Sequence, residues 1–438
     1  MAVQITAASR ELRADSHVDD ASPAPVGAVR YRGRLLRQPR DPANPGGRSL
    51  SSAELLATIR PFLPAAGITR LANITGLDRL GIPVALAIRP NGLTLSNSAG
   101  KGLTLDDALA SAAMEALELH HAEEWTLPTE SRTYDEAFRH LGAPPPDRLP
   151  LTRWGPFLPD WHYTWVRGWD LVGQREVGVP AAMVRMGDPQ GRLDNLHSFQ
   201  VTSNGLASGS TLTEAIHSAL LEVVERDAVT CWQYRRDLRG QPPPTVRRAD
   251  LPDTAGELVD RVARGGGRIL LFDCTVDTHV PVYTAFLFDA HDPRRGIYKG
   301  FGAHLDPQTA MVRAVTEACQ ARAVHIAGSR DDLFRHRLTA TGSSEEHEAV
   351  TELYRRTEAS PPAGTPAPYS GVSFDEEIAV VVRRLDELGL DQVVVVDLGK
   401  PYLPVSVVKV VVPGMEGFLV EDYTPGYRAL GFADGDGV

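Results

Sequence analysis

Cysteine is scarce in this chain. Cys231, Cys274 and Cys319 are its only three among 438 residues, too few and too scattered for a disulfide framework or a CxxC metal clamp. Reduced thiols in a cytoplasmic protein are expected. Long apolar runs are missing as well. No stretch of about 18 uncharged apolar residues occurs, so no membrane-spanning helix is expected, and the N-terminus lacks the apolar core of a signal peptide. Positive charge is in deficit, 45 Lys and Arg against 56 Asp and Glu for a net charge of −11, which argues against nucleic acid as the main partner. There is no GxxxxGK[ST] stretch and no dinucleotide fingerprint. His120 and His121 are adjacent and face different ways, so they make no zinc pair. What remains is 42% hydrophobic and 23% charged, an ordinary enzyme composition with enough chain for a large core and for two or three domains.

Residues 1–48 are rich in Arg, Pro, Gly and Ala, and "RQPRDPANPGGRS" reads as disordered. A flexible insertion is expected at about 328–371, ending in "ASPPAGTPAPYSG", and a loose tail at 431–438. Between these, residues 49–430 carry an internal repeat. "LANITGLDRLGIPVALAIRP", "WVRGWDLVGQREVGVPAAMVRM", "ILLFDCTVDTHVPVYTAFLFD" and "VVVVDLGKPYLPVSVVKVVVPG" share one plan. Each has an apolar strand, an aspartate (Asp78, Asp170, Asp273, Asp397), a turn, and a proline (Pro83, Pro180, Pro281, Pro404) opening a second strand. Proline is tolerated at the first residue of a strand, so each reads as a β-hairpin. One composite α/β domain is expected.

Three hairpins lead through the glycine-bearing loops "SNSAGKG", "SNGLASGS" and "KGFGAHLDP" into helices. Thr104–Asp107 and Thr211–Glu214 make capping-box patterns, and Asp306–Pro307 is an N-cap followed by Pro at N1. The fourth hairpin runs into Pro413–Gly414, with no equivalent helix.

On a helical wheel the three helices each carry a polar stripe. Ser111, Glu115 and Glu118 share one face of the first. Glu222, Glu225 and Arg226 share one face of the second, beside Ala215, Ser218 and Val229. Arg313, Glu317 and Gln320 repeat the first spacing in the third. Glutamates three apart usually make a solvated face, but such faces are rich in Lys, Glu and Gln, not Ala, Ser and Val. If the helices converge, five carboxylates share one space at a cost of several kcal/mol. Arg226 and Arg313 offset only part of that. Hard divalent cations with oxygen ligands, Mg²⁺ above all, would offset the rest, and backbone N–H groups at helix starts favour anions. With Lys101, the set specifies a metal–nucleotide pocket.

"SAAMEALE", "SNGLASGSTLTEAIHSALLEVVERDA" and "AHLDPQTAMVRAVTEACQAR" closely resemble the three signature segments of the YcaO family. The resemblance covers roughly Leu71 to Val412. It implies the YcaO fold and use of ATP with Mg²⁺ to phosphorylate a peptide backbone amide oxygen, after which a nucleophile adds and phosphate leaves. It also implies Glu115, Glu118, Glu222, Glu225 and Glu317 as metal ligands. Ser111, Arg226, Arg313 and Gln320 become nucleotide contacts, with Lys101 and Asn204 as loop contacts to the nucleotide. Where many members carry Arg after the second glutamate of the first segment, this chain has Leu119.

The C-terminal "GYRALGFADGDGV" lacks the PxPxP tail typical of azoline-forming members. "ITGLDRLGIPVALAIRPNGLTLSNSAGKG" and "SAAMEALELHHAEEW" are most similar to the subgroup that acts with a TfuA-like protein. The resemblance therefore implies thioamide formation on a ribosomally synthesised precursor peptide, with a TfuA-like partner delivering sulfur. An azoline- or macroamidine-forming cyclodehydratase is the alternative within the class. A non-catalytic nucleotide-binding peptide scaffold is the alternative outside it. A homodimer is a family-level expectation. Neither the general base nor the peptide is assigned, and Glu416 in "PGMEG" is left without a role.

Overall fold

The computed structural model of the protein describes residues 28–124, 126–187, 196–289, 292, 295–329, 343–369, 371–417 and 423–435. The first half begins with β1 (Arg30–Tyr31), β2 (Arg34–Leu35) and α1 (Ser52–Ile59). It continues with β3 (Arg70–Asn73), β4 (Val84–Ile88), β5 (Asn97–Lys101), α2 (Leu105–Glu123), β6 (Glu130–Arg132) and α3 (Tyr134–Leu141). Next come β7 (Tyr163–Asp170), β8 (Arg175–Pro180), β9 (Leu206–Gly209) and the long α4 (Leu212–Arg239). The second half carries β10 (Thr245–Val246), α5 (Asp253–Arg264), β11 (Gly267–Asp273), β12 (Val282–Asp289), β13 (Ile297–Ala303) and α6 (Pro307–Ala327). It ends with α7 (Ser344–Ala359), α8 (Phe374–Glu387), β14 (Val394–Asp397), β15 (Ser406–Val411) and α9 (Tyr427–Asp434).

All four expected hairpins form as antiparallel pairs, β3–β4, β7–β8, β11–β12 and β14–β15. Three of the aspartates close their turns by accepting bonds from the backbone just beyond. Asp170 takes Val172 N and Gly173 N, both at 3.0 Å. Asp273 takes Thr275 N at 2.9 Å, and Asp397 takes Gly399 N at 2.8 Å. Short acceptors of this kind favour turns. Asp78 reaches only the next residue, accepting from Arg79 N at 2.7 Å, and also pairs with Arg322 at 2.9 Å, both side chains buried. One proline departs from the plan: Pro180 ends β8, opposite Trp165, rather than opening it.

The three stretches read as glycine loops are largely strands, β5, β9 and β13. Their glycines serve helix packing. A Cβ on Gly100 would lie 2.1 Å from Ala112 N, and on Gly209 2.6 Å from Ala215 N. On Gly300 it would lie 2.2 Å from Ala318 N, and on Gly302 2.1 Å from Ala310 O. Only glycine lets each strand lie this close to the helix that follows it.

The chain divides into two compact units. The first comprises Met1–Ala66, Leu117–Asp227 and Gly371–Arg428. Its main sheet runs β6-β7-β14-β15-β9, with β8 paired to β7. Here β9 pairs not with its own hairpin but with β15, Leu206–Gly209 opposite Ser406–Lys409. Val394, Val395, Val407 and Val408 are fully buried in this sheet. The second unit comprises Gly67–Ala116, Ala228–Ser370 and Ala429–Val438. It repeats a strand–strand–strand–helix plan twice, β3-β4-β5 leading to α2 and β11-β12-β13 leading to α6, with β10 added beside β11. Its core joins Leu258 and Val262 of α5 to Leu271, Ala285 and Leu287 of the sheet and to Ala310, Ala314 and Ala318 of α6.

The helix starts form as expected. Thr104 N donates to Asp107 at 3.0 Å while Asp107 N donates to Thr104 Oγ1 at 3.2 Å, a complete capping box. Asp306 caps Thr309 N at 3.0 Å, with Pro307 at the first helical position. Glu214 departs from the box: Thr211 caps its N–H at 3.2 Å, but its carboxylate accepts from Ser210 N and from Ser49 N.

Three segments expected to be loose carry regular structure. Within 1–48, the described part holds β1 and β2, and Arg40 pairs with buried Glu377 at 2.5 Å; residues 1–27 lie outside the described residues. The 328–371 stretch contains α7, while 330–342 and 370 lie outside the described residues. The 431–438 tail begins inside α9, and 436–438 lie outside. The apolar positions of these helices, Val350 in α7 and Phe432 in α9, are buried. That burial outweighs the loop-like composition around them.

Candidate functional site

The stripe residues fall into two sets. Helix α2 belongs to the second unit through Ala116 and to the first from Leu117, and α4 belongs to the first unit through Asp227. In the first unit stand Glu118, Asn204, Glu222, Glu225 and Arg226. In the second stand Lys101, Ser111, Glu115, Arg313, Glu317 and Gln320.

In the first set, Glu118 is held by β9: its Oε1 accepts from Ser208 N at 2.8 Å and from Ser208 Oγ at 2.6 Å. One turn of α4 presents Glu222, Glu225 and Arg226 together. The guanidinium lies 3.6 Å from Glu225 and 3.9 Å from Glu222. Glu225 is 3% exposed, and the Glu222 side chain is 22% exposed. Asn204 precedes β9. Its Oδ1 is buried without a hydrogen-bond partner among the described residues.

The next residue on α4, Asp227, is fully buried. Burial pushes its carboxyl up to about 6, although Arg428 Nε lies 2.8 Å from both its oxygens and the Glu416 N–H donates to it at 2.9 Å. Glu416 is buried too and accepts from Tyr423 OH at 2.5 Å and from Gly426 N at 2.8 Å. The carboxylate left without a role in the sequence thus ties the chain's C-terminal stretch together.

In the second set, Lys101 of β5 donates to Glu317 of α6 at 2.6 Å, both side chains about a quarter exposed. Phe301 N of β13 also donates to Glu317, at 3.4 Å. Gln320 Nε2 donates to Ala99 O of β5 at 2.9 Å, whereas its Oε1 is buried without a partner among the described residues. Arg313 Cβ lies 2.8 Å from where a Cβ on Gly302 would stand, so the strand brings α6 and its stripe close to the sheet. Ser111 and Glu115 are half-buried on α2.

No stripe residue in either set is exposed. A solvated face would be, so that reading fails. Half-buried carboxylates with arginine and lysine beside them are costly unless a cation or hydrogen-bond donors compensate. The donor set fits a hard divalent cation with a polyphosphate: carboxylate oxygens for the metal, Arg and Lys for phosphate oxygens. Asn204 Oδ1 and Gln320 Oε1 are buried acceptors without a donor among the described residues.

Ser208 of β9 and Lys409 of β15 are buried polar residues of the first unit's sheet that the helix stripes do not include. Ser208 sits among small residues with nothing to mark it. Lys409 interrupts the valine run "VVKVVV" and was the one legible signal, a charge in an otherwise apolar strand. The cysteines are uninvolved: all three are buried, and burial pushes Cys274 and Cys319 up to about 12, so neither is a reactive thiolate.

A family model described as YcaO cyclodehydratase, ATP- and Mg²⁺-binding, matches residues 99–416. An uncharacterized protein in the tfuA 3′ region of Rhizobium leguminosarum bv. trifolii is 36% identical over 397 residues, covering 87% of this chain and 92% of that protein. Among solved structures, YcaO from Methanopyrus kandleri bound with AMPPCP and Mg²⁺ is 28% identical with a TM-score of 0.65, covering 84% of this chain and 92% of that one. A heterocyclase in complex with substrate and cofactor has a TM-score of 0.72 at 23% identity. It shares the fold over 87% of this chain, which spans 54% of its length.

Proposed function

The chain belongs to the YcaO family, and on that premise we propose that it converts a backbone amide of a precursor peptide into a thioamide, with a TfuA-like partner supplying sulfur. ATP and Mg²⁺ are its cofactors, the pair that describes the matched family model. The amide oxygen attacks the γ-phosphorus of ATP and ADP leaves. Sulfide then adds to the activated carbon, phosphate departs with the original oxygen, and a proton is lost to restore the amide-type nitrogen.

In this reading Glu115, Glu118, Glu222, Glu225 and Glu317 hold Mg²⁺. Lys101, Ser111, Asn204, Arg226, Arg313 and Gln320 hold the nucleotide. Bound Mg²⁺ neutralises charge on the phosphates during transfer. The chain's own part is positional. Ser208 orients Glu118, Arg226 bridges towards both α4 glutamates, and Lys101 keeps Glu317 fixed. An amide oxygen is a weak nucleophile, so holding it in line contributes most.

The observation that carries the proposal is that every stripe carboxylate is half-buried or buried, with Arg226 beside Glu222 and Glu225 and Lys101 on Glu317. The sulfur assignment is supported by the relative in the tfuA 3′ region. Mass spectrometry of the precursor peptide after incubation with the chain, its partner, ATP, Mg²⁺ and sulfide tests it. Exchange of O for S adds about 16 Da, whereas ring closure onto a side chain removes about 18 Da as water. A gain is expected. Water loss alone would replace thioamidation with cyclodehydration, and absence of peptide-dependent ATP hydrolysis would favour a scaffold.

A further inference from the structure

Burying a lysine in the middle of a valine strand is expensive, yet Lys409 of β15 is 3% exposed between Val408 and Val410. Its Nζ donates to Thr202 O at 2.6 Å, across 207 residues of sequence. Directly opposite Lys409 in the sheet is Leu206, the first residue of β9. Between Thr202 and Leu206 the backbone makes a tight turn. Leu206 N donates to Ser203 O at 2.7 Å, Asn204 N to Thr202 Oγ1 at 3.3 Å, and Val410 N to Gly205 O at 2.8 Å. Gly205 has φ +76, and a Cβ there would stand 2.3 Å from Val410 O and 2.8 Å from Val223 Cγ2 of α4. The turn is thus wedged between β15 and the helix that carries Glu222, and it presents Asn204, whose buried Oδ1 has no hydrogen-bond partner among the described residues.

We propose that Lys409 is a positioning residue: by clamping the Thr202 carbonyl it fixes the 202–206 turn and holds Asn204 in place for the nucleotide. Methionine would fill the same volume in a strand without a buried charge, so packing does not call for lysine here. Burial lowers the ammonium pKa to about 8, opposed by the charge of Glu222, and the cationic form prevails at neutral pH. The inference rests on the reading of Asn204 as a nucleotide contact and deepens it, because no local sequence signal ties residue 409 to residue 204.

The test uses the full chain, Mg²⁺ and the non-hydrolysable analogue AMPPCP, with titration calorimetry for binding and hydrogen exchange for the turn. K409M is expected to speed exchange of the Asn204 and Leu206 amides by about 10-fold or more, with distant amides unchanged, and to weaken analogue binding about 10-fold. N204A should weaken binding similarly. The double variant should be no worse than the poorer single one by more than about 2-fold, since both remove one contact. K409R keeps a cationic donor and is expected to bind within about 3-fold of the native chain. Native binding and native turn protection in K409M overturn the inference, as do losses that multiply in the double variant. The reverse order, K409M native-like and the bulkier K409R impaired, would assign Lys409 to packing alone. A native chain that bound no nucleotide would instead overturn the functional reading, and the inference with it.

Discussion

Glu225 illustrates what a carboxylate does when water is withdrawn. At 3% exposure it has Arg226 for a neighbour at 3.6 Å. Its spacing from Glu222 was plain in the sequence, because residues three apart lie on one helix face. Whether that face was wet or dry was not, since exposure depends on what packs alongside. Replacing the carboxylate by its neutral isostere, E225Q, keeps the volume and removes one oxygen ligand's charge. Peptide-dependent ATP hydrolysis should fall by a factor on the order of 10² or more, the scale of losing one preorganised electrostatic contact. The thermal midpoint should hold or rise, because a buried charge has gone. A collapse of the midpoint with activity per folded molecule preserved would make Glu225 a structural residue. Ser208 and Lys409 show the other side of legibility, for their partners Glu118 and Thr202 lie 90 and 207 residues away.

Strands β5, β9 and β13 have the composition of loops. Glycine, serine and asparagine weaken a strand by local propensity, so "SNSAGKG" and "SNGLASGS" read as turns. Packing against a following helix reversed that preference. At Gly302 the helix carbonyl of Ala310 would lie 2.1 Å from an added Cβ, and backbone cannot step aside as a flexible side chain can. G302A is therefore expected to destabilise the fold by about 1–3 kcal/mol, the cost of overpacking a filled site. Gly431 supplies the opposite sign: it sits within α9 with nothing inside 4 Å of an added Cβ, so G431A should stabilise by about 0.4–1 kcal/mol. Denaturant melts of the two variants would decide it, and equal effects would show that strand–helix approach does not govern these glycines. The helix starts, by contrast, were legible to the residue, since Thr104–Asp107 and Asp306–Thr309 involve side chains three positions from their targets.

For the molecule as a whole, ligand and stability are linked. A ligand that binds only the folded state stabilises it by about 2.7 kcal/mol at 100 times its Kd. ATP with Mg²⁺ should raise the thermal midpoint by several degrees, and chelation of the metal should remove most of that gain. E317Q should shrink the shift while leaving the ligand-free midpoint near the native one. A shift equally large without divalent metal would count against carboxylate-held Mg²⁺. By itself the sequence determined the hairpins, the helix starts and the carboxylate spacings, because each arises between residues only a few positions apart. Tertiary structure alone decided that β9 joins β15 instead of its own hairpin, that glycine-rich stretches become strands, and that Lys409 reaches Thr202. The first and last join residues about 200 positions apart, and the glycine strands depend on close packing against the helix that follows; in each, burial and packing outweigh local preference and leave no periodic trace in the chain.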